Sequence, residues 1–192
     1  MSRQIDYFCT PTSPWTYLGH GRFADIARRH GAAVTVKPVD FGVIFPQSGG
    51  LPLGKRAPQR QAYRLTELAR WRDFLGLPLN LQPKFFPADP ISAACIICAA
   101  PQAAQLAIAG DFLRAVWAEE RNIADIVVLT EIAARHGIAD APAAIVQGKP
   151  IFERNTQEAV ARQVFGAPTY ALPGELFWGQ DRLEFLERAL GG

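Results

Sequence analysis

Gln4 to Phe8 (QIDYF) is a short β-rich run, and Ser13-Pro14 follows it with a hydroxyl able to cap a helix and a proline suited to a first helical turn. Tyr17, Leu18, Phe23, Ile26 and Ala27 recur at helical spacing as far as Gly31, and Val34 to Pro38 (VTVKP) reads as a second strand. The chain therefore opens as a βαβ unit, which favours a parallel strand pair joined by a right-handed crossover.

From Phe41 to Pro58 the period is lost in "FGVIFPQSGGLPLGKRAP", a Gly- and Pro-rich stretch that suits neither helix nor strand and is expected to be a long loop. Tyr63, Leu65, Leu68, Trp71 and Leu75 restore helical spacing over Gln59 to Gly76, and residues 77–90 form a proline-broken link. Ile91 to Ala109, Asp111 to Arg121 and Asp125 to Gly137 read as three further helices, with Asp111 and Asp125 as caps. A helix near Thr156 to Phe165 leads to two strands, Thr169 to Leu172 and Glu175 to Trp178, joined by a Pro173-Gly174 turn, and a last helix spans Asp181 to Leu190. Setting the helical block aside leaves βαβ…αββα with a proline just before the third strand, the order of a thioredoxin-type fold. The expected class is α/β, a single thioredoxin-like unit with a helical insertion: residues 1–40 and 150–192 form the frame, and 41–149 the loop and inserted helices.

Composition narrows the function classes. The chain has 192 residues, 49% hydrophobic and 20% charged, which suits one globular unit with a full core. A net charge of +2, with bases alternating with acids along helices, argues against a nucleic-acid partner. No apolar stretch approaches a membrane span, and Ser2 to Asp6 is too short and polar for a secretory leader, so a cytoplasmic location is expected. Three cysteines fit reduced thiols better than a disulfide framework. Cys95-Ile-Ile-Cys98 is formally C-x-x-C, but it lies in an Ala/Ile-rich helix far from the first strand–helix corner and reads as buried and inert. The three histidines, His20, His30 and His136, are too scattered for a metal site and receive no role.

Taken alone, Ser13 is an N-cap serine and needs no further duty. Four separated stretches change its weight: "SPWTYLG" at 13–19, "RWRDFLGLPL" at 70–79, "VFGAPT" at 164–169 and "FWGQDRLEFLERAL" at 177–190. In order and over nearly the whole chain, they resemble the 2-hydroxychromene-2-carboxylate isomerase family, which is related to kappa-class glutathione transferases and more remotely to DsbA-like oxidoreductases. The resemblance implies glutathione as cofactor, with its sulfur beside Ser13. A helix N-terminus carries partial positive charge and favours a thiolate, to which the serine hydroxyl adds a hydrogen bond. It also implies a cis peptide between Ala167 and Pro168, with the Ala167 main chain pairing with the cysteinyl unit. At the WGQD corner, Trp178, Gly179, Gln180 and Asp181 would take the γ-glutamyl head, with Asn155 and Thr156 bordering it.

Lys55, Arg56, Arg60 and Lys84 read either as solvated surface charge or as holders of the carboxylate of an aromatic substrate, with Trp15, Phe41, Phe45, Phe85 and Phe86 as apolar walls. Thr10 stands where the family pattern has an aspartate, which marks a divergent branch. The expected activity is isomerisation of a 2-hydroxychromene-2-carboxylate-like hemiketal to trans-o-hydroxybenzylidenepyruvate in aromatic catabolism. Glutathione conjugation of electrophiles and glutathione binding without turnover are the alternatives. Disulfide exchange ranks last because the corner has no thiol pair. Relatives are often dimers, so a homodimer is an open expectation.

Overall fold

A computed structural model describes residues 4–191; the start of the polar opening read from Ser2 lies outside the described residues. Four strands form one mixed sheet in the order β2-β1-β3-β4: β1 (Gln4–Cys9), β2 (Ala33–Pro38), β3 (Thr169–Leu172) and β4 (Glu175–Trp178). β1 pairs parallel with β2, from Gln4 opposite Ala33 to Cys9 opposite Pro38, and antiparallel with β3, which is antiparallel to β4. Helix α1 (Pro14–Arg29) makes the crossover. This is the expected thioredoxin-like fold.

Alternation along β1 divides the core. Ile5, Tyr7 and Cys9 belong to the larger apolar cluster with Leu18, Phe23 and Ile26 of α1, whereas Phe8 belongs to a smaller one with Val39, Ile44 and Ala159. The larger cluster runs on without a break into the inserted helices α3 (Pro58–Leu75), α4 (Ile91–Ala99), α5 (Gln102–Trp117) and α6 (Ile126–Arg135) through Leu68, Ile96, Phe112 and Leu129. The helical block is therefore fastened to the frame through a shared core.

Three stretches depart from the pattern reading. The expected loop at 41–58 folds into a helix, α2 (Phe41–Ser48), and a single 3-10 turn at Leu53–Lys55. The Asp40 carboxylate caps α2 by accepting from the Gly42 N–H at 2.7 Å, and Gly49 ends it at φ 72°. The run from Ile91 breaks because Pro101 has no N–H and holds Ala100 extended, so α5 begins at Gln102 and Asp111 falls inside it, where it accepts from His136 at 2.9 Å instead of capping. Helix α7 (Ala141–Ala161) starts well before the expected Thr156, capped by Asp140. Gly148 and Pro150 hide it in the sequence; Gly148 is needed because a Cβ there would lie 1.8 Å from the Cys95 carbonyl oxygen of α4. The 149/150 boundary falls within α7. The chain ends with a 3-10 turn at Gln180–Arg182 and helix α8 (Leu183–Gly191).

Candidate active site

Ser13 caps α1, with Pro14 at the first helical position. Its Oγ accepts from the Thr16 N–H at 3.1 Å, its N–H donates to Thr10 at 3.1 Å, and its carbonyl accepts from Tyr17 at 3.0 Å. Capping engages an oxygen lone pair and leaves the hydroxyl hydrogen free to be donated. Capping and anion binding are therefore compatible duties of one side chain. The first turn of α1 contains no acidic residue to offset the helix dipole.

The cis peptide between Ala167 and Pro168 is present. The β1–β3 ladder ends at Phe8 opposite Thr169, so Ala167 lies just past it and contributes to the wall of the cavity that Ser13 faces. The neighbouring carbonyls are engaged: Pro168 accepts from Gly179 at 2.9 Å and Gly166 from the Thr169 hydroxyl at 2.7 Å. Among the described residues the Ala167 main chain has no such partner, which leaves a free edge for an extended peptide. Trp178 closes this side, its ring 4.7 Å from that of Phe165 and tilted by 59°; its indole passes so near Gly166 that a Cβ there would lie 2.2 Å from Nε1.

The cavity measures about 600 Å³. Its apolar walls are Trp15, Phe41, Phe45, Phe86 and Leu53, and its charged groups are Asp40, Arg56, Arg60 and Arg64. The expected residues Ser13, Trp15, Arg56, Arg60, Ala167 and Trp178 meet here. Pro168, Gly179, Gln180, Asp181, Lys55 and Lys84 are not among its lining residues. Gln180 is buried, and both its carbonyl, at 3.1 Å, and its side-chain oxygen accept from Arg22. Asp181 is exposed and pairs with Arg182 at 2.8 Å. Lys55 is exposed, and the exposed Lys84 ammonium stands 5.1 Å over the Phe85 ring. Asn155 and Thr156 are buried beside the end of β2, where the Thr156 hydroxyl accepts from the Asp40 N–H at 3.0 Å.

Sequence reasoning missed Arg64. It follows Arg60 by four residues on α3, so both share one helix face, and that spacing was the available signal. Its guanidinium lies over Phe86 and Trp117, 5.4 and 5.7 Å from the ring centroids. Burial, and then the Arg56 charge, lower its pKa to about 10, and Arg56 is lowered by burial and by Arg60. Among the described residues no carboxylate lies within 4.0 Å of any of the three guanidiniums. Asp40, the one acid on the wall, is engaged in capping α2.

The family model for the DSBA-like thioredoxin domain matches residues 4–191. The chain belongs to this family. Within it, the expected resemblance is borne out by similarity to 2-hydroxychromene-2-carboxylate isomerases. The protein of that name from Sphingobium xenophagum is 27% identical, covering 99% of each chain. The one from Pseudomonas putida is 26% identical, covering 97% of this chain and 94% of its own. A solved 2-hydroxychromene-2-carboxylate isomerase structure matches with a TM-score of 0.83 at 25% identity, over 98% of this chain and 94% of that one.

For a DSBA-like domain, the placement of the thiols is telling. Cys9, Cys95 and Cys98 are free, buried and absent from the cavity wall. Burial raises all three thiol pKa values, that of Cys98 to about 12. His20 is held away from the site, with Nδ1 3.3 Å from the Tyr7 hydroxyl and Nε2 3.0 Å from the Leu106 carbonyl, and burial lowers its pKa to about 4.

Proposed function

We propose that the chain is a glutathione-dependent isomerase that converts a 2-hydroxychromene-2-carboxylate-like hemiketal to trans-o-hydroxybenzylidenepyruvate. The isomerase class follows from the whole-length likeness to proteins of that name. The observation that carries the cofactor reading is a helix N-terminus with a free hydroxyl donor on the wall of a 600 Å³ cavity that holds no protein thiol. When bound, glutathione would supply a thiolate nucleophile for reversible addition to the conjugated carbon of the ring-opened cis ketone, which forms when the hemiketal's ring C–O bond breaks and its proton passes to the phenol oxygen.

The chain's part is to bind, orient and hold charge. Ser13 donates its hydroxyl hydrogen to the sulfur anion, and the α1 dipole favours the ionised form over the thiol. Ala167 offers its main chain to the peptide. Trp15, Phe41, Phe45 and Phe86 clasp the aromatic ring, and the α3 arginines hold its carboxylate, opposing the charge that moves toward the 2-oxo group during addition. Product analysis tests this reading: incubation of chromene carboxylate with enzyme and glutathione should yield the trans open form with glutathione undiminished. Accumulation of a stable glutathione conjugate would make the chain a transferase, and binding without conversion of either kind would make it a non-catalytic module.

A further inference from the structure

Arg56, Arg60 and Arg64 present three guanidiniums to one wall, and their differing exposure sets what they require. Arg60 is exposed to solvent, whereas Arg56 and Arg64 are half-buried. Arg56 Nε donates to the Leu51 carbonyl at 2.8 Å, which fixes its fork without compensating its charge. Arg64 is held over Phe86 and Trp117, whose ring faces are a weak substitute for an anion. A desolvated guanidinium without a counter-ion is costly, and it is relieved by a planar carboxylate that takes its fork in two hydrogen bonds. A carboxylate gripped in two parallel hydrogen bonds by one fork has both oxygens engaged, so a second half-buried fork is best matched by a second anionic group. Arg56 follows the 3-10 turn and Arg64 lies two turns into α3, and both line the cavity together with Phe86.

We propose that this wall selects dianionic aromatic substrates: Arg64 takes the carboxylate common to the substrate class, and Arg56 takes a second anionic group on the distal part of the ring system. This rests on the isomerase reading for the substrate's place in the cavity and names the substrate class more narrowly.

The test uses stable probes and needs no turnover. Titration calorimetry compares 2-naphthoate with 2,6-naphthalenedicarboxylate, with and without saturating glutathione, on wild type, Arg56→Gln and Arg64→Gln. Wild type should bind the dicarboxylate about tenfold more tightly, the scale of one charge-assisted hydrogen-bonded pair. Arg56→Gln should abolish that preference and leave 2-naphthoate affinity within about twofold, whereas Arg64→Gln should weaken both probes by about tenfold. Arg64→Lys, which keeps the charge, should keep the preference and guards against misreading a folding defect. Equal affinity for both probes in wild type, or a preference that survives Arg56→Gln, would overturn the proposal. So would a preference that vanishes once glutathione is bound, because the second arginine would then belong to a cofactor carboxylate. A preference that persists beside a failure to isomerise chromene carboxylate sinks the isomerase reading and still supports the assignment of this wall.

Discussion

Replacing Ser13 by alanine and by glycine separates the two duties of its hydroxyl. Alanine at an N-cap costs about 1 kcal/mol and glycine only a few tenths. For a domain of this size the alanine variant should melt about 2–4 °C below wild type and the glycine variant close to it. Both substitutions remove the Ser13 hydroxyl, the donor that the proposed function aims at the sulfur anion. A hydrogen bond to a charged group contributes about 1.5–3 kcal/mol, equivalent to about 1–2 pKa units in a thiol that ionises near ~8.5 when free. The pH–rate profile of glutathione-dependent turnover should therefore move up by that amount in both variants. Near neutral pH the rate should fall by about 10–100-fold, and it should recover as pH rises. The Michaelis constant for glutathione should change little, since the peptide is held elsewhere. A glycine variant with the wild-type profile would reduce Ser13 to a cap; rate losses that track melting temperature across the pair would do the same.

Other consequences are more local. His20, with its pKa lowered from 6.5 to about 4, is neutral in the folded chain over a range in which the unfolded chain is protonated. Stability is therefore retained above pH 6.5 and lost as pH falls toward 4, by at most about 3 kcal/mol because the ring keeps some solvent contact. Denaturant midpoints across that range should show the loss, His20→Gln should flatten it, and an unchanged acid slope in that variant would reject the assignment. Gly148→Ala would gain up to about 1 kcal/mol of helix propensity but drives a methyl group into the Cys95 carbonyl, a backbone clash that outweighs the gain. Its melting temperature should drop, and a rise would contradict the close α4–α7 contact. Iodoacetamide should leave all three native thiols unlabelled and activity intact, given their burial and raised pKa values; rapid modification with loss of turnover would point to a protein thiol in the mechanism.

Much of the frame was legible because its signals are local. Ser13-Pro14, Gly31 and the Pro173-Gly174 turn mark element ends, and β1, β2, β3 and β4 follow from short β-rich runs. The early part of α7 was hidden because Gly148 and Pro150 depress helix propensity, while the contact that requires a glycine there involves a helix some fifty residues away. Asp111 was read as a cap because nothing nearby in sequence announces its partner His136. At the site, Ser13, Trp15, Ala167 and Trp178 were found through motifs and Arg56 and Arg60 through charge. Arg64 was missed because an arginine on an amphipathic helix looks solvated until tertiary packing sets it over Phe86 and Trp117. The inward turn of Gln180 is likewise tertiary, set by Arg22 on α1.

The central claim is that the reacting thiolate comes from glutathione and that the protein supplies only its resting place. The most direct measurement is turnover of 2-hydroxychromene-2-carboxylate by thoroughly dialysed enzyme, first alone, then with glutathione, then with S-methylglutathione added as competitor. We expect the uncatalysed rate without glutathione, full activity on its addition, and competitive inhibition by the S-methyl peptide, which keeps the backbone but has no ionisable sulfur. Undiminished turnover by the dialysed enzyme, insensitive to either peptide, would contradict it.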